Sequence, residues 1–146
     1  MFRGRNDYKM DAKGRLSVPA EDREKLMERS ENHPILTNGK NCLTLYSHEK
    51  WLEIEEDLAS KSSLHPQNMA YIRFVVSGAT ECPFDSQGRI LVPPHLREHA
   101  RLEREVTVAG VITHIEIWDK TLFDQENHQS HANLDELASF VAGGSN

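Results

Sequence analysis

Two arginines occupy the same place in two copies of one short motif. Residues 11–19 read Asp-Ala-Lys-Gly-Arg-Leu-Ser-Val-Pro, and residues 85–93 read Asp-Ser-Gln-Gly-Arg-Ile-Leu-Val-Pro. Each copy places a guanidinium group, that of Arg15 or Arg89, four residues after an aspartate. A guanidinium is planar and permanently charged, so it can bridge phosphate oxygens or bind the O6 and N7 atoms of guanine with two N–H groups. This chemistry is compatible with contact to nucleic acid.

Four residues of the motif copies predict tight turns that hold these arginines. Asp11 and Asp85 can accept hydrogen bonds from backbone N–H groups of the loop, and Gly14 and Gly88 supply the positive φ that closes a short hairpin. After the first turn, apolar residues alternate with polar ones, so the arginine faces away from the core. In the second copy, residues 90–92 are all apolar, which predicts a strand buried on both faces.

The motif belongs to an internal repeat. Its offset of 74 residues also pairs Arg23 with Arg97, and further on an offset of 72 aligns residues 43–46 with residues 115–118. This period is too long for a solenoid, so it indicates a duplication whose halves pack as a pseudo-dimer. We divide the chain into a first repeat with its helix (1–60), a connecting helix (61–78), a second repeat (79–124) and a polar C-terminal tail (125–146).

Local signals place helices and turns between the motifs. Asn38-Gly39 is a hairpin-turn signal, and Ser47 and Asp119 are typical N-cap residues before helical patterns. A proline opens each short helix after a motif, and a longer helix is predicted from Pro66 to Gly78. The tail is expected to be either frayed or a helix that docks on a neighbouring subunit.

The charge of the chain is unevenly distributed. The net charge is −6 over 146 residues, which as an average speaks against nucleic acid as a partner. Residues 1–15, however, hold five basic and two acidic residues, a net of +3, so the remaining residues carry −9. Lys13 lies in the first turn, and Arg3 and Arg5 precede it on the predicted strand, so we expect a cluster of cations there. The second copy has Gln87 in place of Lys13, which favours the first motif as the main DNA contact.

Structural explanations compete with these functional ones. An aspartate and an arginine four residues apart commonly form a salt bridge, an interpretation that we favour for Arg89 but not for Arg15. His128 and His131 have helical i, i+3 spacing, but neither of the two cysteines lies near them in sequence. We therefore expect no metal site and no cofactor. No Ser-His-Asp order, phosphate-binding glycine loop or metal-ligand spacing is present, so an enzyme acting on a small-molecule substrate is not expected.

The sequence also predicts the cellular location of the protein. The charged N-terminus and the lack of an apolar run of 18 residues predict neither export nor membrane insertion, so we expect a cytoplasmic protein.

The chain resembles the MraZ family of bacterial transcriptional regulators. The resemblance is carried by the opening Met-Phe-Arg-Gly, the two Asp-x-x-x-Arg motifs, each followed by a proline, and the segment Ser77-Gly-Ala-Thr-Glu81. It implies an α+β, mainly β, fold made of two AbrB-like swapped-hairpin β-barrel halves with flanking helices. It also implies a homo-oligomeric ring of subunits and a nucleoid-associated repressor at the promoter of the division and cell-wall gene cluster.

The resemblance extends to site residues with different strength. Contact of Arg15 with double-stranded promoter DNA follows directly from the motif, whereas contact by Lys13, Arg3 and Arg5 depends on charge and proximity. Arg89 is expected to be a weaker contact or a structural residue. If subunits associate head-to-tail in a ring, their turns point in the same direction around it. Such an assembly would favour DNA sites arranged as direct repeats. An oligomeric scaffold that does not read DNA is the alternative function.

Overall fold

A computed structural model describes residues 1–28 and 31–143 of the chain. The strands are β1 (Arg5–Lys9), β2 (Arg15–Ser17), β3 (Ile35–Asn38), β4 (Leu43–Tyr46), β5 (Thr80–Glu81), β6 (Arg89–Leu91), β7 (Glu105–Gly110) and β8 (Ile115–Asp119). The helices are α1 (Ala20–Met27), α2 (His48–Ala59), α3 (Pro66–Ser77), α4 (Pro94–Ala100), α5 (Lys120–Ala132) and α6 (Leu134–Ala142). This combination of strands and helices confirms the α+β class.

The strands form two antiparallel sheets. Six of them make one sheet in the order β1-β7-β8-β4-β3-β5, and β2 and β6 form a separate two-stranded ribbon. The resemblance implies β-barrel halves, whereas the described residues form no closed barrel, because β1 and β5 are the edges of the larger sheet. The ribbon strands β2 and β6 pair with each other and do not join these edges.

Strand pairing mixes the two predicted repeats. Strand β1 pairs with β7, β2 with β6, β3 with β5 and β4 with β8, so four of the six strand pairings join a strand before residue 60 to one after residue 79. In the ribbon, Leu16 lies opposite Ile90, and these two residues are equivalent under the 74-residue offset. The same offsets relate β1 to β5, β3 to β7 and β4 to β8, so the order of the larger sheet is the same in both directions.

The main core lies between the ribbon and the larger sheet. The inward residues of the ribbon, Leu16, Val18, Ile90 and Val92, are at most 1% exposed and belong to one apolar cluster with residues of β4, β7 and β8. Burial of such side chains stabilises a fold by about 1.5–3 kcal/mol each. The ribbon is therefore held on its inner face, and its outer face is left toward solvent.

The helical signals of the sequence are confirmed where the structure describes them. Ser47 Oγ accepts a hydrogen bond from Lys50 N at 3.1 Å, and Asp119 Oδ2 accepts one from Leu122 N at 3.1 Å, as expected of N-caps. Helix α3 starts at Pro66 and is followed by Gly78. Each cap satisfies an N–H group that the helix itself cannot pair.

Two local expectations need correction. Leu91 is 57% exposed, so β6 is not buried on both faces; its outer face projects from the ribbon, away from the core. The stretch after residue 124 is not frayed where it is described, because α5 continues through it to Ala132 and α6 follows, while residues 144–146 of the tail lie outside the described residues.

Candidate nucleic-acid interface

The first turn holds Arg15 through the carboxylate of Asp11. Asp11 Oδ1 accepts hydrogen bonds from the backbone N–H groups of Lys13 and Arg15, at 3.0 and 2.9 Å, and Asp11 Oδ2 accepts one from Arg15 Nε at 2.5 Å. Backbone bonds from Gly14 N to Asp11 O and from Asp11 N to Arg15 O close the loop. The carboxylate uses one edge of the guanidinium, and the remaining N–H groups of Arg15 can contact a ligand.

The second turn repeats this geometry. Asp85 Oδ1 accepts from the backbone N–H groups of Gln87 and Arg89 at 2.8 and 2.9 Å, and Asp85 Oδ2 accepts from Arg89 Nε at 3.0 Å. The salt bridge that we favoured for Arg89 is present, and Arg15, for which we did not favour it, forms one as well. The ion pair also fixes the orientation of each guanidinium, because the aspartate bonds its Nε.

The two arginines share the outer face of the ribbon. Arg15 lies opposite Leu91, and Arg89 lies opposite Ser17, so the arginines occupy one diagonal of a two-by-two array. Arg89 Nη1 also lies 3.9 Å from Asp11 Oδ2, which brings the second arginine to the first aspartate. The side chain of Arg15 is 39% exposed and that of Arg89 is 27% exposed, so Arg15 is the more accessible.

The electrostatics of the aspartates follow from these hydrogen bonds. The backbone N–H of Arg15, and then its guanidinium, lower the pKa of Asp11 from 3.8 to about 2. The pKa of Asp85 is also lowered, first by the backbone N–H of Arg89. Both carboxylates are therefore charged throughout the physiological range and hold their arginines there.

Glycine is required at both turns. Gly14 and Gly88 have φ of +91° and +75°, the left-handed region that residues with a Cβ rarely adopt. A Cβ at Gly14 would lie 2.7 Å from the carbonyl oxygen of Val92, and a Cβ at Gly88 would lie 2.4 Å from the guanidinium carbon of Arg23. The turns thus pack closely against the opposite half of the chain.

Arg23 and Arg97 support the turns and were not predicted as site residues. Arg97 approaches Gly14, and Arg23 approaches Gly88 while its Nη1 donates to Val18 O at 2.6 Å. Each arginine therefore lies beneath the turn of the other repeat. The sequence did contain a signal, because the 74-residue offset relates these two arginines, but their proximity to the turns depends on the tertiary fold.

The surroundings of the first turn are the more basic. Lys13 is exposed in the turn and supplies the additional positive charge, while the groove beside it is lined by two acidic residues, Asp11 and Glu103, and two basic ones, Arg97 and Arg104. Met10 N also donates to Arg104 O at 2.7 Å, which attaches Arg104 to the start of this turn. The second turn has Gln87 in the position of Lys13.

Arg3 and Arg5 are not part of this group. Arg5 begins β1 and lies opposite Ala109, and its guanidinium lies 5.5 Å from the ring centre of Phe123. At about 3.3 Å per residue, the four steps from Arg5 to Lys9 separate Arg5 from the turn end of β1 by roughly 13 Å. Arg3 precedes Gly4 and lies beside Gly110. Within one chain, the described contacts of Arg3 and Arg5 lie along β7 and at Phe123, and contact of these two arginines with DNA stays a prediction.

Other candidate chemistry is limited. Among residues 1–28 and 31–143, no group of three or more His, Cys, Asp or Glu side chains could hold a metal ion. Burial raises the pKa of the thiols of Cys42 and Cys82 to about 12, so neither is an activated nucleophile.

No helix in the described part of the chain has the length and apolar character needed to cross a membrane.

Comparison with known proteins identifies the family of this chain. The family model described as "MraZ protein, putative antitoxin-like" matches the chain twice in succession, over residues 1–74 and 75–139. The chain is 46% identical over 140 residues to the transcriptional regulator MraZ of Alkaliphilus metalliredigens, covering 95% of each chain. It is 45% identical to that of Desulforamulus reducens, covering 97% of each, and 39% identical to that of Syntrophobacter fumaroxidans, covering 97% of this chain and 95% of the relative. The chain belongs to the MraZ family.

Proposed function

We propose that this protein is a DNA-binding transcriptional repressor that contacts double-stranded promoter DNA with the outer face of the β2·β6 ribbon and its two turns. The observation that carries the proposal is the pair of arginines on one rigid face, each held by an aspartate through Nε. A two-stranded antiparallel ribbon fits the major groove of B-DNA, where a guanidinium can bind guanine with two N–H groups. Three of the relatives are named transcriptional regulators.

Rigidity supports this use of the ribbon. Val92 N donates to Gly14 O at 2.8 Å, and Val18 N donates to Gly88 O at 3.3 Å, so each turn is bonded to the strand of the other repeat. The inner side chains of both strands are buried. Less conformational entropy is lost on binding when the contacting groups are already ordered.

We place the main contact at the first turn. Arg15 is the more exposed arginine, and the exposed Lys13 adds positive charge beside it. Arg89 takes a secondary role, because its guanidinium is less exposed and lies near two carboxylates. This assignment retains Arg15, Lys13 and Arg89 as DNA contacts, and leaves Arg3 and Arg5 for a separate surface at the other end of β1.

The proposed assembly is a homo-oligomeric ring of two-repeat subunits. One chain of net charge −6 presents few cations, so binding is expected to depend on several subunits acting at a high effective concentration. Helix α6 supports self-association because four of its nine residues are exposed large hydrophobics: Leu134, Leu137, Phe140 and Val141. The same helix is the observation that favours the alternative function, an oligomeric scaffold without DNA readout.

The remaining parts of the proposal come from the family resemblance. They are swapped-hairpin repeats produced by duplication, association with the nucleoid in the cytoplasm, and repression at the division and cell-wall gene cluster. The palindromic strand order and the two successive family matches support the duplication.

The salt dependence of DNA binding tests the proposed interface. We expect the wild-type protein to bind duplex DNA from upstream of its own coding sequence with an affinity that falls steeply with salt, because binding releases counterions. Arg15→Ala should weaken binding roughly 10- to 100-fold and flatten the salt slope, and Arg89→Ala should have a smaller effect. Fluorescence anisotropy over a series of NaCl concentrations measures both quantities.

A matched control distinguishes a specific role of Arg15 from a general effect of removing positive charge. Lys61, which pairs with Asp57 at 3.6 Å after α2, is a cation outside the ribbon, so Lys61→Ala should change neither affinity nor slope. Size measurements should give the same oligomer mass for all variants. Normal promoter binding by Arg15→Ala contradicts the assignment of the interface, and loss of oligomer mass shows that Arg15 is structural. Absence of salt-dependent DNA binding by the wild type, with the oligomer intact, favours the scaffold.

A further inference from the structure

Leu91 is an exposed apolar residue on the ribbon. It is 57% exposed, whereas its neighbours Ile90 and Val92 are 1% and 0% exposed, so its side chain projects from the outer face of β6. It lies directly opposite Arg15 in the ribbon ladder. Side chains at directly opposed positions of antiparallel strands have Cβ atoms about 4.5–5.5 Å apart. A ligand that contacts Arg15 on the outer face of the ribbon therefore also lies close to Leu91.

The two repeats carry different residue types at this position. The 74-residue offset relates Leu91 to Ser17, which lies opposite Arg89. The outer face thus has two equivalent arginines on one diagonal, and a leucine and a serine on the other. Any ligand seated on this face meets an apolar group beside Arg15 and a hydroxyl beside Arg89.

The leucine is separate from the other exposed apolar residues. Among the described residues, the other exposed large hydrophobics lie at the N-terminus, in α2, α3 and α6, at Leu64, and at Val111 and Ile112. Leu91 is the one on the ribbon or its turns. The apolar contact that it offers is therefore the size of one side chain, and cationic and hydroxyl side chains border it. Such a surface suits contact with a groove of DNA better than contact with an apolar patch on another protein.

We propose that Leu91 is a specificity-determining residue that contacts the C5 methyl group of a thymine adjacent to the base contacted by Arg15. The inference rests on the proposed function. In the major groove, thymine alone among the four bases presents a methyl group, and apolar side chains recognise it by contact. Ser17 has no comparable apolar surface, so thymine recognition is expected on one side of the array only. A single chain then reads an asymmetric sequence despite its internal repeat.

Replacing thymine by deoxyuridine tests the proposal, because the exchange removes only the methyl group. Duplexes that the wild-type protein selects from a random library would be resynthesised with deoxyuridine at one thymine at a time. At one position, we expect affinity to fall roughly three- to fivefold, as for the loss of one buried methyl group. Leu91→Ser, which reproduces the residue of the other repeat, should bind the thymine and deoxyuridine duplexes equally.

A gain-of-contact variant and a distant control sharpen the test. Ser17→Leu should create a second deoxyuridine-sensitive position, on the other side of the site. Val111→Ala alters an exposed apolar residue outside the ribbon and should retain the wild-type pattern. Affinities measured by fluorescence anisotropy and masses measured by size exclusion apply to all three variants.

Several outcomes overturn the proposal. It is wrong if the wild type tolerates deoxyuridine at every position, or if Leu91→Ser keeps the sensitivity at the same thymine. A change in oligomer mass for Leu91→Ser assigns the leucine to a subunit contact instead. If the wild type selects no duplex from the library at low salt, the proposed DNA-binding function itself fails, a result distinct from selection without methyl sensitivity.

Discussion

The turn containing Arg15 and the turn containing Arg89 share their internal hydrogen bonds and differ in what surrounds them. In both, the aspartate accepts two backbone N–H groups and the Nε of its arginine. The first turn carries Lys13 and adjoins Arg104, whereas the second carries Gln87. The aspartate, glycine and arginine that both copies share therefore determine the geometry, and the positions at which the copies differ determine the local charge.

The supports of the two turns also differ. Gly14 faces a backbone carbonyl of the ribbon, while Gly88 faces the guanidinium of Arg23, a side chain that can rotate away. Both turns are hydrogen-bonded to backbone of the opposite repeat, but an added Cβ would first meet fixed backbone at Gly14 and a side chain at Gly88. This difference predicts unequal responses to the same substitution.

The largest effect is expected when a Cβ is added to the turn glycines. Gly14→Ala should lower the free energy of unfolding by about 2–5 kcal/mol, since a strained φ costs about 1–2 kcal/mol and a clash with fixed backbone adds a further 1–3. Gly88→Ala should cost less, because Arg23 can move. Urea unfolding followed by circular dichroism measures both values.

Gly4 is a matched control for the strained φ alone. Its φ is +83°, but a Cβ there would meet nothing within 4 Å, so Gly4→Ala should cost only about 1–2 kcal/mol. Equal costs at Gly4 and Gly14 would contradict the close approach of the first turn to Val92.

A smaller effect is expected when the charges of the two turns are exchanged. Lys13→Gln should weaken DNA binding and reduce the slope of log affinity against log salt by about 0.9 for each phosphate that the lysine no longer neutralises. Gln87→Lys should increase the slope by a similar amount if the second turn also approaches DNA. The double exchange, measured by anisotropy in the same salt series, tests whether the turns are interchangeable; a slope unchanged by Lys13→Gln removes Lys13 from the interface.

The smallest effect concerns acid stability. The pKa of Asp11 is about 2 in the folded protein, below its ordinary value near 4 in an unfolded chain. Its contribution to stability is therefore present above pH 4 and is lost as pH falls toward 2. The stability difference between wild type and Asp11→Asn, measured by urea unfolding at pH 2–5, should shrink over that window.

Asp85→Asn provides the comparison at the second turn. The pKa of Asp85 is also lowered, so its contribution is likewise lost on acidification below the ordinary pKa. We expect the smaller change here, because the distance from Asp85 Oδ2 to Arg89 Nε is 3.0 Å, whereas that from Asp11 Oδ2 to Arg15 Nε is 2.5 Å. A pH profile for Asp11→Asn parallel to that of the wild type would show that the carboxylate does not stabilise the folded turn.

Much of the local structure could be predicted from the sequence. The two turns, the N-caps at Ser47 and Asp119, and α3 from Pro66 depend on residues within about four positions of one another, and they formed as predicted. The inward direction of Leu16 and Val18 also followed from alternation. Such signals are reliable because the hydrogen bonds involved are local.

The candidate site was predictable only in part. Arg15, Lys13 and Arg89 could be assigned from the motif and its repeat, but Arg3 and Arg5 were grouped with them because they precede Lys13 in sequence. In the fold, β1 pairs with β7 and carries Arg5 to Phe123. Proximity along the chain is a poor guide when the intervening strand is extended.

The sequence alone determined that this chain has two turns of one geometry, each presenting an arginine, because aspartate and glycine act on the backbone immediately around them. The tertiary structure decided which strands pair, which turn lies over Arg23 or Arg97, and that Leu91 projects beside Arg15. The strand pairings and turn contacts between the two repeats join residues about 45 to 105 positions apart. They depend on long-range strand pairing and shared burial, for which no short pattern in the sequence is a sufficient signal.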